Sequence, residues 1–115
     1  MDIEILFTAL LNENWKMYSD SGRYEPEELE SEGAIICADG NNINEYLNSR
    51  FSDQNKILVL VLDPLRIQSP MKRVKTEGHD LVELTEAFSL DAIIDKITVG
   101  KDQDDQFKLS VRHFD

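Results

Sequence analysis

Few side chains in this sequence could carry acid, base or nucleophilic chemistry. The two histidines are His79, between a glycine and an aspartate in a predicted turn, and His113, near the end of the chain. A nucleophile–base pair would have to join one of them to a serine or to the single cysteine, Cys37. Cys37 lies inside an apolar run typical of a buried strand, where a thiol is usually inert. We therefore predict no catalytic residue among these groups and a structural role for Cys37.

Two charged clusters offer binding chemistry instead. Five glutamates lie between Glu25 and Glu32, without the ligand spacing of a calcium loop. Negative charge near a helix start is favourable in itself, so a solvated acidic turn is the alternative to a cation site. Lys72, Arg73 and Lys75 form the one basic cluster, which could contact a phosphate or simply be solvated. We predict no metal site and no bound cofactor.

The net charge limits the kinds of partner. The 115 residues carry a formal charge of −11 with a pI near 4.5. Nucleic acids and anionic membranes attract positive surfaces, so neither is an expected partner. The first 55 residues contain twelve acidic and three basic residues, whereas the rest is nearly balanced. We expect that a partner would be a basic protein or peptide facing the N-terminal half.

Length and composition indicate one cytoplasmic domain spanning residues 1–115. An apolar content of 41% suits a globular core at this length. One cysteine excludes an internal disulfide. The first residues lack the basic and apolar regions of a signal peptide, and no apolar run approaches the roughly 20 residues of a membrane helix.

Alternation of apolar residues and turn signals predict the elements of the first half. They are a strand over Ile3–Ala9, a helix from an Asn12 cap to about Ser19, an acidic turn from Pro26 to near Ser31, and a strand over Ala34–Ala38. Gly22 and Gly33 stand where a left-handed residue would end a helical segment. Trp15 and Tyr24 are expected to be largely buried against the Ala34–Ala38 strand.

The second half is predicted to be mostly strands. The predicted elements are a helix from Asn42, a central strand over Lys56–Asp63, a strand over Met71–Thr76, a turn at Gly78–Asp80, strands over Leu81–Leu84 and Ile93–Val99, and an edge strand with Phe107, Leu109 and Val111 in alternation. Ser89 is expected to cap a helical turn before Ile93. Strands and helices in this order predict an α+β fold of small mixed sheets with two main helices.

The spacing of several of these residues resembles the domain-of-unknown-function 952 family. Its pattern includes I-Y-H-I-T, a tryptophan, G-x-Y, S-L-x-x-E-G-F-I-H-C-S and a strand ending in Asp-Pro. The matching residues are Ile5, Thr8, Trp15, Gly22, Tyr24, Leu29, Glu32, Gly33, Ile35, Cys37, Asp63 and Pro64. The resemblance covers about residues 3–100, so residues 101–115 form a C-terminal edge strand or tail outside it.

The resemblance implies an ADP-ribosyltransferase-like fold, with small sheets split around the cleft where relatives hold NAD. Three family histidines fall on Phe7, Ile36 and Glu83 in this sequence. The candidate cleft residues are Phe7, Thr8, Ile36, Arg73 and Glu83. Neither Phe nor Ile can transfer a proton, so the cleft lacks the polar groups of its relatives. Such a cleft would prefer an apolar or cationic group to a pyrophosphate.

Two functional hypotheses follow from this comparison. The first is a non-catalytic binding or interaction module on an ADP-ribosyltransferase-like scaffold. The second is an enzyme acting on NAD or a nucleotide-like substrate, with Glu83 or Glu77 as the acid and Arg73 or Lys75 holding phosphate. The replaced histidines favour the first hypothesis.

Overall fold

A computed structural model describes residues 5–76 and 79–109 of the chain. Within them lie eight strands, three α-helices and three short 3₁₀ turns. The strands are β1 (Leu6–Leu10), β2 (Arg23–Tyr24), β3 (Ile35–Cys37), β4 (Lys56–Leu62), β5 (Met71–Thr76), β6 (His79–Leu84), β7 (Phe88–Ser89) and β8 (Ile93–Gly100). The helices are α1 (Trp15–Ser21), α2 (Glu27–Ser31) and α3 (Ile43–Arg50), and the 3₁₀ turns are Asn12–Asn14, Pro64–Arg66 and Leu90–Ala92.

Two three-stranded sheets form the framework. Their strand orders are β1-β4-β8 and β3-β6-β5, and β2 pairs with β7 as a separate ribbon. The two sheets meet at one bridge, where Phe7 and Ala38 exchange two main-chain hydrogen bonds of 2.8 Å. Every pairing in the described residues is antiparallel. The prediction of mixed sheets is therefore wrong. Each connection between two paired strands returns the chain in the opposite direction, so the pairs are antiparallel.

Each sheet face packs against a different layer, because successive side chains of a strand point to opposite faces. On β4, Leu58, Leu60 and Leu62 belong to one core and Ile57, Val59 and Val61 to the other. The α1-side core also contains Leu6, Leu10, Tyr18, Tyr24, Ile35, Cys37, Ile67, Val82, Leu84, Phe88 and Ala92. The α3-side core also contains Phe7, Ala9, Ala38, Ile43, Tyr46, Leu47, Leu81, Val99, Phe107 and Leu109. As predicted, β4 is a central strand, and residues Ile57–Leu62 are all buried.

The helix ends follow the glycine and proline signals. Gly22 ends α1 at φ 78°, and its N–H donates to the Tyr18 carbonyl oxygen at 3.0 Å. Gly33 follows α2 at φ 80°, in the left-handed region that favours glycine. Pro26 precedes α2 as its extended N-cap residue. The predicted Asn12 cap is wrong, because Asn12 begins a 3₁₀ turn and α1 starts only at Trp15.

The first strand and the turn predicted at residues 78–80 also differ from the structure. β1 runs over Leu6–Leu10 instead of ending at Ala9, and the predicted start at Ile3 lies outside the described residues. His79 and Asp80 belong to β6 instead of a turn, because they continue the pairing with β5. Gly78 lies outside the described residues.

Residues 107–109, the described part of the predicted C-terminal edge strand, do not form a strand. Residues 107–109 are extended, with Phe107 and Leu109 buried and Lys108 exposed, but they join no sheet. Side chains of α3 take the hydrogen-bonding role that a neighbouring strand would have had. The alternation of apolar and polar residues correctly predicts which side chains are buried. It does not identify the hydrogen-bonding partner of the segment. Val111 lies outside the described residues.

Candidate functional site

The five candidate cleft residues are divided between the two faces of the sheets. Ile36 pairs with Glu83, so their side chains lie on one face of the second sheet. Phe7 forms the bridge with Ala38, which is two residues after Ile36 and therefore on the same face. Phe7 is 1% exposed and half-buried Ile36 packs against the α3-side core. Alternation places Thr8 on the opposite face of β1, and Arg73 pairs with Val82, which faces the α1-side core. The structure therefore places Phe7, Ile36 and Glu83 on one face and Thr8 and Arg73 on the opposite face.

Thr8 and Cys37 link the two sheets inside the protein. The Thr8 hydroxyl is fully buried and donates to the Ile36 carbonyl oxygen at 2.8 Å. Cys37 is also fully buried, and burial raises the pKa of its thiol far above the usual range. A thiol that stays protonated is a poor nucleophile. Their described contacts are those of internal packing.

A different group of side chains gathers where α2 approaches the end of α3. Arg50, the last residue of α3, places Nη2 3.0 Å from Glu28 Oε2. Its Nη1 lies 3.3 Å from Glu32 Oε1, and Nη2 also donates to Glu32 Oε2. Glu28 and Glu32 are four residues apart, so they lie on one side of the short helix. One guanidinium therefore holds two carboxylates of the acidic turn.

Glu28 is the buried member of this cluster. Its side chain is 12% exposed, compared with 45% for Glu32 and 33% for Arg50. Because burial penalises the charged form, the pKa of Glu28 rises from 4.5 to about 7, despite the opposing effects of Arg50 and of a hydrogen bond from the Ile36 backbone. Glu32 behaves oppositely, since its hydrogen bond with Arg50 lowers the pKa of that carboxyl. The Glu28 carboxyl therefore changes its charge closer to neutral pH than an ordinary glutamate does.

Tyrosines surround the buried carboxyl. The rings of Tyr18 and Tyr24 meet edge to face with centroids 4.9 Å apart. Burial, and then the nearby Glu28 carboxylate, raise the pKa of Tyr24 and of Tyr46 far above the usual range. The buried Tyr46 hydroxyl has no hydrogen-bond partner among the described residues. The Glu28 carboxyl thus lies close to buried aromatic side chains.

Glu28 and Arg50 border an open groove of about 270 Å³, named here the α2 groove. Its lining residues are Ala9, Leu10, Leu11, Asn14, Met17, Tyr18, Tyr24, Pro26, Glu27, Glu28, Arg50 and Phe51. A second groove of about 540 Å³ continues from it along α1 and α2 and shares Met17, Tyr18, Pro26 and Glu27 with it. Together they form a surface with apolar walls and several carboxylates.

The charges in the α2 groove suit a cation better than an anion. Among the described residues that line the groove, two are acidic, Glu27 and Glu28, and one is basic, Arg50. The Arg50 guanidinium already binds Glu28 and the adjacent Glu32. A phosphate would have to displace them, whereas an ammonium or guanidinium group would find acceptor oxygens. In the described part of the chain, no group of three His, Cys, Asp or Glu side chains could hold a metal ion.

No local pattern in the sequence predicts this site. Glu28 and Arg50 are 22 residues apart, and the α2 glutamates were interpreted together as a solvated turn. The one sequence feature that indicates a buried side of α2 is Leu29, the apolar residue of the acidic turn. Leu29 packs against the α1-side core, so its side of α2 faces the protein interior. Of the other residues considered for acid–base chemistry, His113 and Glu77 lie outside the described residues, and His79 begins β6.

The other predicted structural residues support the walls of the groove. Tyr24 is 1% exposed and contacts Phe88 with ring centroids 5.3 Å apart. Trp15 is half-buried against the α1-side core, and Lys96 Nζ lies 4.7 Å from its ring centroid.

No helix within residues 5–76 and 79–109 is long and apolar enough to cross a membrane.

These features define a small α+β domain whose antiparallel sheets meet at one bridge beside an acidic groove. The chain belongs to the family described as "Protein of unknown function (DUF952)", whose model matches residues 9–93. No curated protein matches the sequence.

Solved structures of one bacterial protein share the fold. A crystal structure of protein CC0527 from Caulobacter crescentus matches with a TM-score of 0.80 at 17% identity, covering 91% of this chain and 94% of that one. A solution structure of CC0527 matches with a TM-score of 0.71 at 16% identity, covering 96% of each chain. At this identity the likeness concerns the fold alone.

Proposed function

We propose that this chain is a non-catalytic binding domain that holds a basic, partly apolar peptide segment in the α2 groove. The observation that carries the proposal is the Glu28 carboxyl at the edge of an apolar groove, where one arginine is shared between two carboxylates. A buried carboxylate stabilises a cation more strongly than a solvated one, because the surrounding dielectric is lower. The expected ligand group is an arginine or lysine side chain.

Charge beyond the groove favours the same partner. Glu25, Glu27 and Glu30 are exposed and line the second groove, so the rim of the combined surface is acidic. The whole chain carries −11, which would speed the approach of a cationic segment at low salt. The same charge would repel nucleic acids and anionic membranes. A partner protein or peptide with a basic segment, met in the cytoplasm, is the proposed biological ligand.

The walls of the groove provide the apolar part of the recognition. Met17 is 60% exposed and stands beside the buried Tyr18 ring and Pro26 in both grooves. Methionine adapts its shape to a bound apolar side chain, and an aromatic ring offers a rigid surface with little entropy to lose. A segment with an apolar residue next to its basic residue would use both features.

The scaffold supports binding in preference to catalysis. Two small antiparallel sheets joined at one bridge resemble the split sheets of ADP-ribosyltransferases, and we propose that relationship for this chain. At the three positions where the family pattern has histidine, this chain has Phe7, Ile36 and Glu83. Of these, Phe7 is buried and Ile36 packs against the same core. Neither hydrocarbon side chain has a proton to exchange with a ligand.

A peptide titration followed by NMR tests the proposal. The probe is the capped peptide Ala-Leu-Arg-Leu-Ala, and the matched control peptide contains citrulline, which keeps the shape of arginine without its charge. Backbone shifts of the wild-type chain should move at Met17, Tyr18 and Glu28 with the arginine peptide only. Glu28→Gln should lose the response, whereas Glu86→Gln, the same change at an exposed residue outside the groove, should keep it. Equal responses to both peptides would contradict the proposal.

One observation favours a second function, an enzyme acting on NAD or a nucleotide-like substrate. A carboxyl with a pKa of about 7 is suited to general acid–base catalysis at neutral pH. The surrounding carboxylates oppose it, because a pyrophosphate would meet like charges beside Glu28. Release of nicotinamide from NAD by the wild-type chain, lost in Glu28→Gln and kept in Glu86→Gln, would establish the enzyme instead.

A further inference from the structure

Two asparagines of α3 hold the main chain of residues 107–109. Asn48 Oδ1 accepts from the Phe107 N–H at 2.7 Å, and Asn48 Nδ2 donates to the Phe107 carbonyl oxygen at 2.9 Å. Asn44 Oδ1 accepts from the Leu109 N–H at 2.7 Å, and Asn44 Nδ2 donates to the Leu109 carbonyl oxygen at 3.3 Å. Each side-chain amide thus binds both polar groups of one residue, as a neighbouring strand would.

The spacing of the two amides matches an extended chain. Asn44 and Asn48 are four residues apart on one helix face, a rise of about 6 Å. Phe107 and Leu109 are two residues apart in an extended segment, a rise of about 6.6 Å. Their side chains are 0% and 7% exposed in the α3-side core, whereas Lys108 points to solvent. The arrangement selects an extended chain with apolar residues at alternate positions.

We propose that this face of α3 is a docking site for an extended apolar-x-apolar segment, and that Phe107–Leu109 is its intramolecular ligand. The inference concerns a surface separate from the α2 groove. The hydrogen bonds from Asn44 and Asn48 contact only the backbone of the bound segment. Specificity therefore depends on two apolar side chains of that segment, separated by one solvent-exposed residue. A segment of the same pattern from another source would satisfy the same contacts.

The connection to β8 explains why the segment stays bound in its own chain. Six residues, 101–106, join Gly100 to Phe107, and they fold on themselves. Asp102 Oδ1 accepts from the backbone N–H groups of Asp104 and Gln106, and Lys108 Nζ lies 3.0 Å from Asp102 Oδ2. A short tether gives a high effective concentration, which is in the millimolar range for short flexible linkers. A free segment would compete only when the tethered one is weakened.

A full-length double variant, Phe107→Ser with Leu109→Ser, removes the apolar side chains of the tethered ligand. The probe is the capped peptide Gln-Asp-Asp-Gln-Phe-Lys-Leu, the sequence of residues 103–109. It should bind the double variant at least tenfold more tightly than the wild type by fluorescence anisotropy. Methylating the Phe and Leu backbone nitrogens of the peptide, or adding Asn48→Leu to the variant, should abolish the binding. A folded double variant that binds no peptide would overturn the proposal.

Amide hydrogen exchange in the unmodified chain provides a second test that does not depend on the variant folding. A docked ligand leaves by local opening, whereas a core element exchanges only on global unfolding. The amides of Phe107 and Leu109 should therefore exchange at least about a hundredfold faster than those of Val59 and Leu60 in β4. Equal exchange rates in the two places would identify the segment as an inseparable part of the core and overturn the proposal.

Discussion

Arg50 Nη2 lies 3.0 Å from Glu28 Oε2 and thereby joins the short acidic helix α2 to the last turn of α3. Glu28 also accepts a hydrogen bond from the backbone of Ile36 in β3. One carboxyl group therefore contacts three elements of the fold at the edge of the α2 groove. Its protonation state affects both the stability of the chain and the charge of the groove.

The first prediction concerns the pH dependence of stability. The pKa of Glu28 is raised from 4.5 to about 7, so the folded chain binds this proton more tightly than the unfolded chain does. The contribution of Glu28 to the free energy of unfolding is therefore most favourable below pH 4.5 and falls as the pH rises to about 7, by about 3 kcal/mol at most. Chemical denaturation of wild type and Glu28→Gln at pH 5 and pH 8 measures this difference. An unchanged gap between the two chains at the two pH values would contradict it.

The second prediction concerns Arg50. Replacing it by Gln leaves the poorly solvated Glu28 carboxylate beside Glu32 without a cation. We expect a loss of about 1–3 kcal/mol at pH 8, less than for a fully buried pair because the Arg50 side chain is 33% exposed. Adding Glu28→Gln should recover part of the loss, as a double-mutant cycle measures. Lys72→Gln, which removes a positive charge from exposed β5, is the control and should change little.

Elements with a strong local signal agree with the structure. Gly22, Gly33 and the apolar run of β4 each carry a local physical signal, a left-handed turn or burial on both faces, and these elements were predicted correctly. Strand pairing and hydrogen-bonding partners depend on distant residues, so the antiparallel sheets and the docking of Phe107 on α3 could not be predicted.

The residues of the α2 groove could not be predicted from the sequence for the same reason. Each α2 glutamate has the same side chain, and only tertiary packing distinguishes Glu28, which is 12% exposed, from Glu32, which is 45% exposed. The partner that completes the cluster, Arg50, comes from another helix. Phe7 and Ile36, at positions where the resembled family has histidine, belong to the α3-side core or pack against it.

The third prediction concerns Trp15. Its ring packs against the α1-side core but remains half-buried, with Lys96 above it. Trp15→Ala should therefore cost about 3 kcal/mol, the low end of the range for a buried aromatic residue, and lower the melting temperature by more than 10 °C. Leu65→Ala is the control, since Leu65 is 73% exposed. A melting point for Trp15→Ala within a few degrees of wild type would show that the ring is a surface platform.

The fourth prediction concerns NAD. The α2 groove has more carboxylates than cations, and Arg73 lies on the other side of the sheet from Glu83. We expect calorimetry to detect no micromolar binding of NAD, because its pyrophosphate would lie near carboxylates without a partner of its own. Micromolar binding that is lost in Arg73→Ala and kept in Lys72→Ala would revive the enzyme hypothesis.

The most direct test of the account is the affinity of the Ala-Leu-Arg-Leu-Ala peptide at pH 6 and at pH 8. Because the pKa of Glu28 is about 7, this carboxyl is mostly neutral at pH 6 and mostly charged at pH 8. The wild-type chain should bind the peptide up to about tenfold more tightly at pH 8, a difference of about 1.4 kcal/mol. Glu28→Gln should bind weakly with little dependence on pH, while Glu86→Gln should follow the wild type. Equal affinity at both pH values, or wild-type affinity in Glu28→Gln, would contradict the proposal that Glu28 holds a basic ligand.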